Sequence, residues 1–210
     1  MTQTQRRPRD PARWEQRYEE GALPWDNGKP DAHLNEVISS HGIVPGKALE
    51  IGCGTGTNAI WLAGQGYEMT GMDISRTAIG KAETKVAEAG VACRFVVGDF
   101  LADDVQGAPF GFVYDRGCLH VFDEAEDRTR FAQRVSALLE PGGIWHSLIG
   151  STDGPPRDTG PPRRSAVDIA NAVEPYFEIL ELKSTIFDPA SQNQARAWVL
   201  VARCRTRYPA

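Results

Sequence analysis

From Lys47 onward the chain alternates short apolar runs with longer stretches of mixed character. KALEI is a short apolar strand that runs into glycines at alternate positions, Gly52, Gly54 and Gly56. NAIWLAGQG predicts a helix closed by Gly66, and YEMTGMD a second strand. SRTAIGKAETKVAEAG opens on Ser75, a residue type that caps helix starts, carries Ile79 and Val86 seven positions apart, and stops at Gly90. CRFVVGD and FGFVYD predict strands three and four, EDRTRFAQRVSALLE a helix ended by Pro141, and GGIWHSLIG strand five. EILELKSTIF and ARAWVLVARC leave no room for a helix between them and predict an antiparallel pair. Alternating βα units predict an α/β fold, a doubly wound, mostly parallel sheet with helices on both faces.

Two segments fall outside this alternation. Residues 10–41 predict an N-terminal helical cap: a helix around PARWEQRYEE, the loop GALPWDNGKP, and a second helix with Leu34, Val37 and Ile38 on one face. Residues 151–164, STDGPPRDTGPPRR, are too rich in proline and glycine to form an element and leave the carboxyl end of strand five. Ligands of open α/β sheets sit beyond the carboxyl ends of the strands, so this loop is a candidate substrate lid.

Composition narrows the function classes. With 41% hydrophobic residues, the 210-residue chain can fill one core, so residues 1–210 are expected to form a single domain around a ligand-binding core at 47–150. A formal net charge of -5 argues against a nucleic-acid partner, whose binding surfaces carry a basic balance. Cys53, Cys93, Cys118 and Cys204 have no zinc-like or disulfide-like spacing, so no metal site is expected and a reducing cytoplasm suits them. MTQTQRRPRD has no apolar run after its arginines and Arg6–Arg7 opens no export signal. No stretch reaches the ~20 apolar residues of a membrane span, so no membrane partner is expected.

The three glycines give up side chains where backbone must come close to something. A nucleotide P-loop needs Gly-Lys-Ser/Thr, but Gly56 is followed by Thr57 and Asn58. The dinucleotide pattern GxGxxG fails at Thr57. Asp73 ends strand two, 17 positions after Gly56, where a carboxylate can accept from both hydroxyls of an adenosine ribose. Asp99 ends strand three, and Phe100 beside it can cover an adenine face. Taken singly, either aspartate also reads as a turn residue.

In this order, ALEIGCGTG, MTGMDIS, VVGDF and LLEPGG resemble the motifs of class I S-adenosylmethionine-dependent methyltransferases, over residues 47–150. The flanks PWDNGKP, YDRGCLHVF and RAWVLVAR resemble the small-molecule branch of thiopurine, thiol and halide methyltransferases and tellurite-resistance-type proteins. The resemblance implies a seven-stranded sheet with the last strand inserted antiparallel. It implies S-adenosylmethionine as cofactor, its methionine part against Gly52, Gly54 and Gly56, its ribose on Asp73, and its adenine against Ile74, Asp99 and Phe100. It also implies that Trp14 and Trp25 close over cofactor and acceptor, with core packing as the other reading of both.

Methyl transfer from a sulfonium is an in-line displacement in which positioning dominates, and a base is needed only for an acceptor that holds its proton. Arg116 resembles the acceptor-side arginine of the thiopurine branch, suited to an anionic substrate; an ion pair is its other reading. His120 is a candidate base or a packed core histidine, whereas Cys118 reads as a small hydrophobe. Arg163 is a candidate for an acidic substrate group, and Arg164 reads as a solvated loop residue before Ser165, which predicts a helix N-cap. The catalytic candidates are therefore Arg116 and His120, and the substrate-binding candidates Trp25, Arg116, His120 and Arg163. The expected acceptor is a small-molecule nucleophile, a thiol first, then a phenol or N-heterocycle. A protein that binds the cofactor in a regulatory role without transferring the methyl is the alternative.

Overall fold

The computed structural model describes residues 10–21, 23–155, 160–188 and 194–205. Arg6 and Arg7 lie outside them, as do residues 156–159 of the expected lid. The chain begins with α1 (Pro11–Glu20) and α2 (Leu34–Ser40), which occupy the expected cap. It continues through β1 (Lys47–Ile51), α3 (Thr57–Gly64), β2 (Glu68–Asp73), α4 (Arg76–Ala89), β3 (Cys93–Val97) and β4 (Phe110–Arg116). A short 3-10 turn (Leu119–Val121) precedes α5 (Ala125–Leu138), β5 (Leu139–Gly150), α6 (Ala166–Val173), β6 (Phe177–Ile186) and β7 (Arg196–Cys204).

The seven strands form one sheet in the order β3-β2-β1-β4-β5-β7-β6. Pairs among β1 to β5 are parallel, and β7 runs antiparallel between β5 and β6. The order reverses at β1, placing a crevice beyond the carboxyl ends of β1 and β4.

Period-two alternation sends the strands' side chains into two cores. Leu49, Ile51, Val113, Trp145 and Leu200 join Phe131 of α5 and Ile169 of α6 on one face. Ala48, Phe112, Tyr114, Leu148 and Val199 meet Leu34 of α2 and Leu62 of α3 on the other. Helix ends follow local chemistry. Ser75 Oγ accepts from Ala78 N–H at 3.0 Å, and Gly90 closes α4 at φ 66°. Ser165 starts α6 with a capping box to Asp168.

One expected boundary is wrong. The fifth helix stops at Leu138, and Pro141 lies within β5 instead of ending the helix. Leu139 pairs with Phe110 and the next partners are Phe112 and Ile144, so residues 140–143 bulge out of the ladder. A proline without an N–H is tolerated in such a bulge.

Candidate active site

The loop after β1 turns through three left-handed glycines, Gly52 at φ 66°, Gly54 at 55° and Gly56 at 78°. At Gly54 a Cβ would lie 2.7 Å from the Tyr18 hydroxyl, and at Gly56 it would lie 2.7 Å from the Phe95 ring. Both need glycine for backbone conformation and for space. Asp73 braces the turn: Oδ2 accepts from Gly54 N–H at 2.8 Å and Oδ1 from Ser75 N–H at 2.9 Å. Burial raises the Asp73 pKa while these backbone donors oppose the shift. Each oxygen keeps a second lone pair for a ligand hydroxyl.

The cap folds over this turn. The Trp14 and Trp25 rings meet edge to face at 5.7 Å, and Tyr18 meets Trp25 at 6.2 Å. Glu15 fastens α1 to the start of α4, accepting from Ser75 Oγ and Thr77 Oγ1 at 2.6 Å each. These bonds, Ser75 first, hold the Glu15 carboxyl below its ordinary pKa. Asp26 makes a second fastening, accepting from Thr55 Oγ1 at 2.5 Å. A cleft of about 460 Å³ remains, open to solvent, bordered by Tyr18, Trp25, Glu50, Gly52, Gly54 and Arg116 among others.

Arg116 is committed. Its Nε donates to Asp31 Oδ2 at 3.0 Å, Nη1 to the Trp25 carbonyl at 3.2 Å, and its guanidinium lies 5.3 Å from the Phe187 ring centre. Asp31 also accepts from the Tyr114 hydroxyl at 3.0 Å, and its side chain is only 1% exposed. Its ion pair with Asp31 is partly buried, not the surface pair of the alternative reading, and joins the cap to β4 at the border of the cleft.

His120 is buried, and its Nδ1 accepts from Gly150 N–H at 2.9 Å. Because a backbone N–H can only donate, the neutral imidazole carries its proton on Nε2. In this arrangement the ring has no lone pair with which to take a proton from an acceptor. Of the ring's two nitrogens, Nδ1 is thus engaged by the backbone. Asp115 shapes the loop before it, accepting from Cys118 N–H at 3.0 Å, Leu119 N–H at 3.1 Å and Trp145 Nε1 at 2.9 Å. Burial pushes the Asp115 pKa up to about 6 and raises the Cys118 thiol well above its usual range, so Cys118 stays a neutral thiol.

Phe100, expected beside an adenine, packs in the core against Phe131 at 4.8 Å because both belong to the apolar layer beneath α5. Asp99 instead accepts from Leu101 N–H at 2.8 Å, and Ile74 is half-buried just after β2. Arg163 donates to the Pro155 carbonyl at 3.3 Å. Arg164, read as solvated, is a half-buried staple whose Nη2 binds the Phe122 carbonyl at 2.9 Å and Asp123 Oδ1 at 2.7 Å. Two site residues escaped the sequence reading. Tyr18 stands four positions after Trp14, on the same helix face, and Glu50 interrupts an otherwise apolar strand between Leu49 and Ile51.

Comparison with known proteins decides among the adenosine-bearing cofactors. The model of the thiopurine S-methyltransferase family matches residues 9–205. The chain belongs to this family. A probable thiol methyltransferase 2 of Arabidopsis thaliana is 32% identical over 158 residues, covering 73% of this chain and 67% of that protein. A 2-heptyl-1-hydroxyquinolin-4(1H)-one methyltransferase of Mycobacteroides abscessus is 28% identical over 158 residues, covering 74% and 69%. Among solved structures, one described as converting a disulfide bond into a thioacetal group during echinomycin biosynthesis superposes with a TM-score of 0.78 at 26% identity, covering 94% of this chain and 93% of that one.

This member of the thiopurine S-methyltransferase family is thus an S-adenosylmethionine-dependent methyltransferase. The cleft fits that cofactor: the glycine turn leaves a cradle that side chains would fill, and a buried oxygen of Glu50 on its border lacks a partner. Among the described residues no cluster of His, Cys, Asp or Glu is arranged to hold a metal, and no helix is long and apolar enough to cross a membrane.

Proposed function

We propose that this methyltransferase acts on the sulfur of a small thiol, relying on positioning instead of a protein base. When bound, the cofactor supplies a methyl group on a cationic sulfur. The methionine part is assigned to Gly52, Gly54 and Gly56, the ribose to Asp73, and the adenine to Ile74 and Asp99, with Trp14, Tyr18 and Trp25 excluding water from above.

The observation that carries the reading is the Gly150 N–H bond to His120 Nδ1. It leaves His120 as a donor on Nε2, while Arg116 is balanced by Asp31 at 3.0 Å. Neither residue removes a proton, so the acceptor must arrive as a competent nucleophile. A thiol with an ordinary pKa of about 8.5 ionises appreciably near neutrality, whereas a phenol near ~10 does so far less. The names of the Arabidopsis relative and of the echinomycin structure both point to chemistry at sulfur, which supports the same choice. Trp25, Arg116 and His120 are assigned to the wall of the acceptor space, and Arg163 to an acidic group of a larger acceptor.

The test is methyl transfer from labelled cofactor to a panel of small thiols, phenols, halides, thiocyanate, N-hydroxyquinolones and N-heterocycles. Thiols should be turned over fastest, with a pH profile that tracks the ionisation of each thiol. Phenols methylated as fast as thiols near neutral pH, with a profile independent of the acceptor, would return a base to the site and overturn the reading.

A further inference from the structure

Among the described residues, the charged side chains that border the cleft are Asp26, Lys29, Glu50 and Arg116. Lys29 is exposed, where water and salt screen its charge. Asp26 lies 3.7 Å from Lys85 Nζ, and the buried Glu50 adds negative charge or none. Arg116 is the cation withdrawn from solvent, with its side chain 17% exposed, and Asp31 Oδ2 balances it at 3.0 Å.

Asp31 is held in place from several elements. Its Oδ1 accepts from His33 N–H at 2.7 Å, its own N–H donates to Asn58 Oδ1 at 2.8 Å, and Oδ2 also accepts from the Tyr114 hydroxyl at 3.0 Å. The carboxylate is therefore not free to swing away from the arginine. The remaining guanidinium nitrogens are engaged as well, Nη1 by the Trp25 carbonyl at 3.2 Å and Nη2 by the Phe187 carbonyl at 3.5 Å. The Phe187 ring lies against the guanidinium and packs on His120, with 5.6 Å between ring centres. The surroundings of Arg116 are thus balanced in charge and aromatic in character.

We propose that Asp31 is a specificity-determining residue: by balancing Arg116 it makes the site choose acceptors by their apolar group, favouring thiols with an aromatic or alkyl body over small inorganic anions such as thiocyanate and halides. The inference deepens the thiol reading above and rests on its placement of Arg116 and His120 at the acceptor wall. The cause is desolvation. A small anion offers one charge and almost no apolar surface, and a guanidinium that is already paired does not repay the loss of its water. A thiol with an ordinary pKa of about 8.5 enters largely protonated near neutral pH, and its apolar body is taken out of water by the aromatic wall. The ionised fraction then reacts, its proton lost to solvent: the sulfur lone pair forms the bond to the methyl carbon as the bond from that carbon to the cofactor sulfur breaks, leaving a thioether and the demethylated cofactor. Asp31 touches no reacting atom and acts through Arg116, as a positioning residue.

The test measures KM and kcat for phenylmethanethiol and for thiocyanate at neutral pH and constant ionic strength, with affinity for the demethylated cofactor as the check on folding. The unaltered protein should favour the thiol, and thiocyanate or iodide at about 1 mM should not compete with it. Asp31→Asn keeps an oxygen for Tyr114 and Arg116 but removes the charge, and should lower the KM for thiocyanate about 10-fold while that of the protonated thiol moves far less. A merely structural loss would raise both. Asp31→Asn/Arg116→Gln restores a neutral pair and should return thiocyanate to weak binding. Phe187→Ala should raise the KM of the thiol and leave that of thiocyanate in place. Should Asp31→Asn fail to fold, Phe187→Ala and the competition measurement in the unaltered protein decide. Competition by thiocyanate at about 1 mM, an unchanged thiocyanate KM in folded Asp31→Asn, or an unchanged thiol KM in Phe187→Ala overturns the inference, while turnover of the thiol keeps the thiol reading standing. Failure of every thiol to accept the methyl group removes that reading as well.

Discussion

Asp73 at the end of β2 finds its partners nearby in sequence, Gly54 nineteen positions back and Ser75 two ahead. Arg116 at the end of β4 finds Asp31 at a separation of 85 positions, the Trp25 carbonyl at 91 and the Phe187 carbonyl at 71. The glycine-turn side of the crevice is built by a local motif that carries its own bracing. The Arg116 side is held by contacts between distant segments. A motif that braces itself keeps one role wherever it occurs, whereas the role of Arg116 or His120 depends on what the rest of the fold brings against it.

The largest effect is expected where that distant bracing is cut. Asp31→Ala strands the guanidinium of Arg116 and the hydroxyl of Tyr114, and breaking a buried pair in this way costs about 3–5 kcal/mol. Denaturant unfolding should show this loss, and the double variant Asp31→Ala/Arg116→Met should recover much of it. Equal stability of the single and double variants would mean the pair is not coupled. On the local side, Asp73→Ala should weaken cofactor binding about 100-fold, or ~2.7 kcal/mol, by leaving ribose hydroxyls and the Gly54 N–H without an acceptor. Calorimetry with unchanged affinity would remove Asp73 from the ribose.

His120→Gln sharpens the comparison, because the amide can still accept from Gly150 N–H. With a thiol acceptor the rate should fall only about 2- to 10-fold, far below the 10²–10⁴-fold typical of a lost base, and the pH profile should keep its shape. The smallest effect concerns Glu15→Gln, which keeps shape but loses charge at the start of α4, and should raise the cofactor Kd about 2- to 5-fold. Because the folded-state pKa of Glu15 is lowered, its contribution is full above the ordinary value of 4.5 and is lost as pH falls below that through the lowered pKa. Hydrogen exchange of α1 in the unaltered protein should therefore quicken in mild acid relative to the Gln variant, after correction for intrinsic rates.

The same contrast explains what was legible in the sequence. KALEI, the glycines, the Ser75 cap and the Gly90 stop are local patterns, and each lies where expected. The antiparallel final pair was legible because no helix fits between its strands. Pro141 misled because a bulge, invisible to periodicity, relieves β5 of the N–H that proline lacks. The packing of Phe100 was not legible, because Phe131, its partner at 4.8 Å, sits 31 positions later on another element. For Arg116 and His120 the residue types were visible, but the partners that set their chemistry, Asp31 and Gly150, were not. Tyr18 and Glu50 were within reach, one from helix spacing and the other as a charge inside an apolar strand.

The loop that leaves β5 is pinned at its base, where Ser151 and Arg164 pair, Arg164 N–H donates to the Gly150 carbonyl at 2.7 Å, and Thr152 N–H to the Arg164 carbonyl at 3.1 Å. Arg164 anchors the same point to Phe122 and Asp123, and the Ser165 capping box starts α6 at once. Whatever happens to the chain between these ties, the strand before it and the helix after it keep their register. Because closure entropy grows only slowly with length, each doubling of the intervening segment costs about 0.6 kcal/mol. The base of this loop is a socket: insertions and substitutions plugged into it leave β5, α6 and the glycine turn as they are.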